Sequence, residues 1–180
     1  MTERNFTRID KLPSWATPIF RAKGTYLDLA LLHKTPRRLC ALASRLSHES
    51  WERSTEDTDF DLLERLANLG EEHAKSLRGH QFYLAIEAPR YWWAEADTYT
   101  VGMIPMGSTS TMFNEAKRLK GDELVAAKSA LSEGTLQLRI RAFSEPTLLR
   151  MARQRAKHRL PEWQEFAHFV DGCVHLEKSV

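Results

Sequence analysis

Two β-compatible apolar runs, at residues 26–32 and 82–88, and several stretches with helical apolar spacing point to an α/β domain, a sheet flanked by helices. A chain of 180 residues with 42% hydrophobic residues can bury one sizeable core, so a single domain over residues 1–180 is expected. No repeat, low-complexity tract or linker composition argues for dividing it.

The run at 26–32 is followed by Lys34-Thr35-Pro36, which reads as a helix start with Thr35 as N-cap and Pro36 at the first helical position. Leu39, Leu42, Ala43 and Leu46 then share one face and are expected to point inward. A second amphipathic helix is expected over 59–69, with Leu62, Leu63, Leu66 and Leu69 inward and Glu64 and Arg65 outward. Residues 82–88 form a strand running directly into Pro89-Arg90. Three later helical patterns cover about 122–130, 145–157 and 161–170.

The chemistry concentrates in residues 89–112, which hold two Trp, two Tyr, two acids, one Arg and a Ser/Thr cluster. Aromatic faces stack on flat rings, and hydroxyls with backbone N–H groups hold phosphates, so the segment suits a nucleotide or another planar anion. A buried strand and its turn is the alternative reading. Read as a strand, it places one of Trp92 and Trp93 toward the pocket and the other in the core.

Arg90 is a candidate for a phosphate or carboxylate, or for stacking on Tyr91 or Trp93 and pairing with Glu95. Glu95, as a carboxylate, is a candidate either to accept from an amino group of a base such as cytosine or guanine, or only to pair with Arg90. Ser108, Thr109, Ser110 and Thr111 either cradle phosphate oxygens or cap a helix over 112–119. Arg150, Arg153, Arg155, Lys157, His158 and Arg159 form a late basic cluster, either a solvated face or a source of cations for a neighbouring subunit's site.

Lys and Arg number 26 against 24 Asp and Glu, a net charge of +2, and the basic residues are spread through the chain, so a duplex nucleic acid partner is not expected. The seven histidines show no close metal-ligand spacing, and no metal is expected. Cys40 and Cys173 read as buried structural thiols. The opening Met-Thr-Glu-Arg-Asn-Phe has no apolar signal core, and no membrane span is legible, so a cytoplasmic protein is expected.

In order, these segments resemble the flavin-dependent thymidylate synthases. Leu29-Ala-Leu-Leu-His-Lys-Thr-Pro36 through Ala43-Ser-Arg45 is similar to that family's opening strand, turn and helix, and Gly79-His-Gln-Phe82 through Ala88-Pro89 to its next strand. His158-Arg-Leu-Pro-Glu-Trp-Gln-Glu-Phe166 resembles its late helix, so the resemblance spans about residues 27–169. The family signature Arg-His-Arg-x-x-Ser-x-Asn-x-x-Ser-x-Arg-Tyr falls without a gap on residues 98–111, where only Ser108 keeps its identity. Thr98, Tyr99 and Thr100 stand for Arg-His-Arg, Met103 for Ser, Pro105 for Asn, and Ser110-Thr111 for Arg-Tyr.

The resemblance implies a nucleotide ligand, sites shared between subunits of a homo-oligomer, and in the family's own activity a reduced flavin that supplies the hydride. In the family a Gln at the place of Glu95 contacts the nucleotide and an Arg of a late helix polarises the uracil ring. With three signature arginines replaced, no cofactor is expected and the first reading is a divergent nucleotide-binding protein, similar to compact bacteriophage relatives, that modifies or sequesters a pyrimidine or signalling nucleotide. Its site is expected to draw on Arg90, Trp93, Glu95, Tyr99, Ser108, Ser110, Thr111, Arg153, Arg155 and His158. If it is an enzyme, the resemblance implies a methyl- or hydroxymethyltransferase acting on a nucleotide. The alternatives are a working synthase that methylates dUMP with bound FAD, and a non-catalytic interaction module, such as a phage inhibitor of a host system, in which Trp, Tyr and Arg form an interface.

Overall fold

The computed structural model describes residues 4–70, 72–111 and 116–175. Its strands are β1 (Phe20–Lys23), β2 (Asp28–Lys34), β3 (Gln81–Pro89), β4 (Met103–Ser108) and β5 (Leu136–Ser144). Its helices are α1 (Arg37–Arg45), α2 (Glu56–Leu69), α3 (Arg90–Ala96), α4 (Gly121–Ser129), α5 (Glu145–Arg155) and α6 (Pro161–His175). Among the described residues the strands form one sheet in the order β1-β2-β3-β5-β4, antiparallel at every pairing. The mixed α/β class holds, with helices packed on the sheet.

Strand alternation divides β3 between two cores. Phe82, Leu84, Ile86 and Ala88 face the main one, where Trp92 and Trp93 of α3, Leu148 and Met151 of α5, and Trp163, Phe166 and Phe169 of α6 meet them. Ala85 faces a smaller cluster with Ala30 and Leu138, closed by Ile9 from a short turn ahead of β1. Glu87, fully buried near that side, accepts from the Arg8 backbone N–H at 3.0 Å and from its guanidinium at 2.6 Å. Burying one large apolar side chain contributes about 1.5–3 kcal/mol, so the aromatic group around Trp92 is a main source of stability. The Trp92 ring lies 4.7 Å from Trp163 and 5.7 Å from Phe166, centroid to centroid.

Several expectations about the elements are corrected. Thr35 does not cap α1. Its hydroxyl instead donates to the Gly79 carbonyl at 3.0 Å and accepts the Gln81 N–H at 2.8 Å, and the helix begins at Arg37. The expected leucine stripe is outward, with Leu39 60% and Leu42 40% exposed on α1 and Leu46 58% exposed in the turn that follows it. The buried stripe is Cys40, Ala41 and Arg45, because small side chains let α2 approach closely enough for Leu63 to pack and for Arg45 to reach Asp59 at 2.9 Å. In α2 itself Leu63 is buried and Leu69 exposed. That helix starts three residues earlier than its apolar spacing shows, at Glu56, behind a Thr55/Thr58 capping box.

The last correction is the largest. Residues 90–96 are helix, not strand, so neighbouring side chains are turned by about 100° rather than reversed. Trp92 and Trp93 are both fully buried.

Candidate site at the end of helix α3

Helix α3 starts behind Pro89 and runs only to Ala96; Asp97 ends it, its N–H bonded to the Trp93 carbonyl at 2.8 Å. The chain then reverses into β4 through Gly102, whose φ of +79° favours glycine. A Cβ there would lie 2.3 Å from Thr147 Oγ1 and 2.5 Å from Ser144 Oγ. Both hydroxyl residues belong to the β5–α5 junction, and Thr147 Oγ1 donates to the Val101 carbonyl at 2.7 Å. This close approach brings the end of α3 against β5, α5 and the start of α6.

Four of the expected site residues meet there. Glu95 accepts the indole N–H of Trp163 at 2.5 Å and faces Arg155 at 3.6 Å and His158 at 3.9 Å. The Arg155 Nε–H donates to the Tyr99 hydroxyl at 2.9 Å, which in turn bonds Gln154 at 3.1 Å. The Arg155 guanidinium lies 4.8 Å from the Trp163 ring centroid and 5.5 Å from that of Tyr99. Trp163 is fully buried, while the Glu95 side chain keeps 38% of its surface, so a buried aromatic carries an acid and a base that still reach solvent.

A second group lies beside it. Asp97 takes the guanidiniums of Arg139 at 3.0 Å and Arg141 at 2.5 Å, and both cations rest on the Trp93 ring, 4.6 and 5.1 Å from its centroid. Trp93 is held from behind by its own indole N–H to the Gln137 carbonyl at 3.1 Å. Burial lowers the Arg141 pKa from its ordinary value, and the neighbouring Arg139 lowers it further, against the pull of Asp97. Residue-by-residue reading missed Arg139 and Arg141. The signal was present in Leu136-Gln-Leu-Arg-Ile-Arg-Ala-Phe143, whose strict alternation marks a strand.

The remaining candidates separate. Ser108 pairs in register with Arg139 at the end of β4. Thr109 bonds Leu138 through both backbone and hydroxyl, at 2.9 and 3.1 Å, and Thr111 receives the Lys128 ammonium. Ser110 lies between them, partly buried. Of the helix expected over 112–119, residues 112–115 lie outside the described residues, and 116–119 are bend, turn and irregular backbone rather than helix. Arg90 is not beside Glu95: it donates to the Leu131 carbonyl at 3.3 Å and pairs with Glu133 at 3.3 Å, because it opens α3 while Glu95 lies near its far end. Arg153 is exposed and lines a different cleft with Leu77, Arg78 and Leu149. Trp93, covered by two guanidiniums and fully buried, offers no free face to a base.

A cleft of about 900 Å³ opens elsewhere, between the start of α1 and the first turns of α2, lined by Arg37, Arg38, Asp57, Asp59 and Phe60 among others. Several of its charges already pair within the chain: Arg37 with Glu145 and Glu64, and Arg38 with Asp59. Both cysteines are buried, and burial pushes the Cys173 thiol up to about 12. Among the described residues, no group of three or more His, Cys, Asp or Glu is placed to hold a metal, and no helix is long and apolar enough to cross a membrane.

No protein-family model matches the sequence, and a search of the curated proteins finds no match. Solved structures are similar in fold. Flavin-dependent thymidylate synthase ThyX from Helicobacter pylori, complexed with FAD and dUMP, superposes with a TM-score of 0.65 at 16% identity, over 79% of this chain and 91% of that one. A second structure of that enzyme with FAD and dUMP gives 0.68 at 16% identity, over 81% and 91%. The UMP/dUMP methylase PolB from Streptomyces cacaoi, bound with 5-Br dUMP, gives 0.55 at 11% identity, over 81% and 86%. The chain therefore has the fold of the flavin-dependent thymidylate synthases.

Proposed function

We propose that this protein binds a nucleotide at the end of α3, with Glu95, Tyr99, Arg155 and His158 around the base and Ser108, Ser110 and Thr111 toward the phosphate. The observation that carries the reading is the convergence of the first four, from two separate stretches of chain, on the Trp163 indole. A carboxylate at Glu95 accepts from the N–H groups of a base, and Arg155 donates to its carbonyl oxygens. The fold neighbours that carry dUMP or its bromo analogue support a uridine-type base as the first to test.

The same residues do not fit a tightly held flavin. Its diphosphate calls for cations where the family signature has them, and here Thr98 donates its hydroxyl to the Glu95 carbonyl at 2.7 Å while Tyr99 is bonded to Gln154 and Arg155. We therefore read the protein as a binder of the nucleotide and derive no redox step. The outward leucines of α1 and of the turn after it support a homo-oligomer, since three large exposed apolar side chains, Leu39, Leu42 and Leu46, favour a covered face.

Calorimetry with UMP, dUMP, TMP and cyclic nucleotides tests the reading. At least one is expected to bind at micromolar affinity, equivalent to about −8 kcal/mol, with a tenfold or greater loss in Arg155→Ala. The purified protein is expected to show no flavin absorption. If no nucleotide in the screen binds more tightly than roughly 100 μM, the interaction-module reading replaces this one.

A further inference from the structure

We propose that Arg139 and Arg141 form a two-guanidinium clamp for a phosphate-class dianion, and that Asp97 occupies the clamp as a displaceable stand-in. The two arginines are two residues apart on β5 and so project from the same face of the sheet. Trp93 is their floor, holding both planes within about 5 Å of one ring, close to the distance expected of a stacked cation.

The charge count favours an exchange. Two cations face one carboxylate, which leaves the group at +1, and a buried cation is costly to leave without its full counter-charge. Arg141 is 8% and Arg139 18% exposed at the side chain, whereas Asp97 is 44% exposed, so the carboxylate sits on the solvent side of the clamp. The Nε atoms of both arginines are buried without a hydrogen-bond partner among the described residues. Asp97 alone therefore leaves the donor set short. A tetrahedral dianion brings one more charge and more acceptor oxygens than the single carboxylate. Ser108 stands opposite Arg139 in the ladder, which puts its hydroxyl on the arginine's side of the sheet.

The clamp changes what the Ser/Thr segment needs. A phosphate beside Ser108 finds two cations within the same chain, and no arginine has to come from another subunit. That the dianion is the phosphate of a nucleotide rests on the reading above; the clamp itself does not.

Binding of inorganic phosphate, deoxyuridine and dUMP by calorimetry, to the wild type and to Asp97→Asn, Asp97→Ser and Arg139→Gln, separates the two. Removing the carboxylate is expected to tighten phosphate and dUMP at least tenfold and to leave deoxyuridine unchanged, while Arg139→Gln weakens phosphate and dUMP. Unchanged or weaker phosphate binding in folded Asp97 variants overturns the clamp. So does unfolding of both, since a displaceable group must be dispensable to the fold. If dUMP binds and responds to Arg155→Ala but to neither Asp97 nor Arg139, the clamp fails and the nucleotide reading stands. If phosphate responds as expected and no nucleotide binds any variant, the clamp stands and the nucleotide reading fails.

Discussion

Glu95 has two separable functions, and two substitutions at that position distinguish them. Its carboxylate accepts the N–H of a fully buried tryptophan, Trp163, at 2.5 Å, and it faces Arg155 and His158 across 3.6 and 3.9 Å. The ion pair is partly solvated, at 38% and 22% exposure, and pairs of that kind contribute about 0.2–1 kcal/mol. Leaving a buried N–H unsatisfied costs more, about 1–3 kcal/mol. Glu95→Gln keeps an oxygen for the indole and removes only the charge, so its unfolding free energy is expected within about 1 kcal/mol of wild type. Glu95→Ala removes both and is expected to fall by about 2–3 kcal/mol. Guanidinium unfolding followed by tryptophan fluorescence measures the two variants side by side. Equal losses in Gln and Ala refute the reasoning, because the charge and not the hydrogen bond would then hold Trp163. If the carboxylate also reads a base, the Gln variant loses nucleotide affinity while keeping its stability.

Other outcomes follow from the same contacts. Removing Asp59 with Asp59→Ala is expected to cost about 3–5 kcal/mol, because it leaves buried Arg45 unpaired at 2.9 Å from where the carboxylate was. Burial alone would raise the Asp59 pKa, but hydrogen bonds from Ser54, Arg45 and Arg38 hold it below its ordinary value. Its contribution is therefore present above the unfolded pKa near about 4 and is lost as pH falls through the lower folded value. The denaturation midpoint should drop below that pH in wild type and show less of this dependence in Asp59→Asn. Both cysteines are expected to resist a thiol reagent in the native state at pH 8 and to react on unfolding; fast native labelling of either contradicts its burial. Leu42→Arg is expected to convert an oligomer to monomers by light scattering without lowering stability, and a wild type that is already monomeric removes the oligomer reading.

The legible parts of the fold were those in which one apolar period runs long enough to stand out. β3 and the later helices have that property, and their ends lie within a few residues of the expected ones, apart from α6, which runs on to His175. β1 is four residues long, and β4 contains Pro105 and Gly107 at a register shift on the sheet edge, a composition that reads as loop. β5 alternates cleanly, but its alternate positions hold Arg139 and Arg141, which look like a solvated face until a tryptophan is placed beneath them. On α1 the burial was reversed for a related reason. Hydrophobicity alone favours leucines over Cys40 and Ala41 as the inward stripe, but close packing against α2 selects the small side chains.

At the site, the residue types were legible and their partners were not. Glu95, Tyr99, Arg155 and His158 stand out as chemistry in the sequence because acids, bases and aromatics are dense there, and the fold brings them together at Trp163. Which acid meets which base depends on whether residues 90–96 coil or extend, and in the helix Arg90 and Glu95, five residues apart, project from different faces. The same coil aims Asp97 at β5 rather than along the chain. Two acids close together in sequence look hostile to phosphate. In the folded chain each carboxylate lies beside arginine, Glu95 beside Arg155 and Asp97 beside Arg139 and Arg141. The local charge at α3 thus shifts from acidic in sequence to basic in space, and an anion approaching Asp97 meets one carboxylate in front of two guanidiniums.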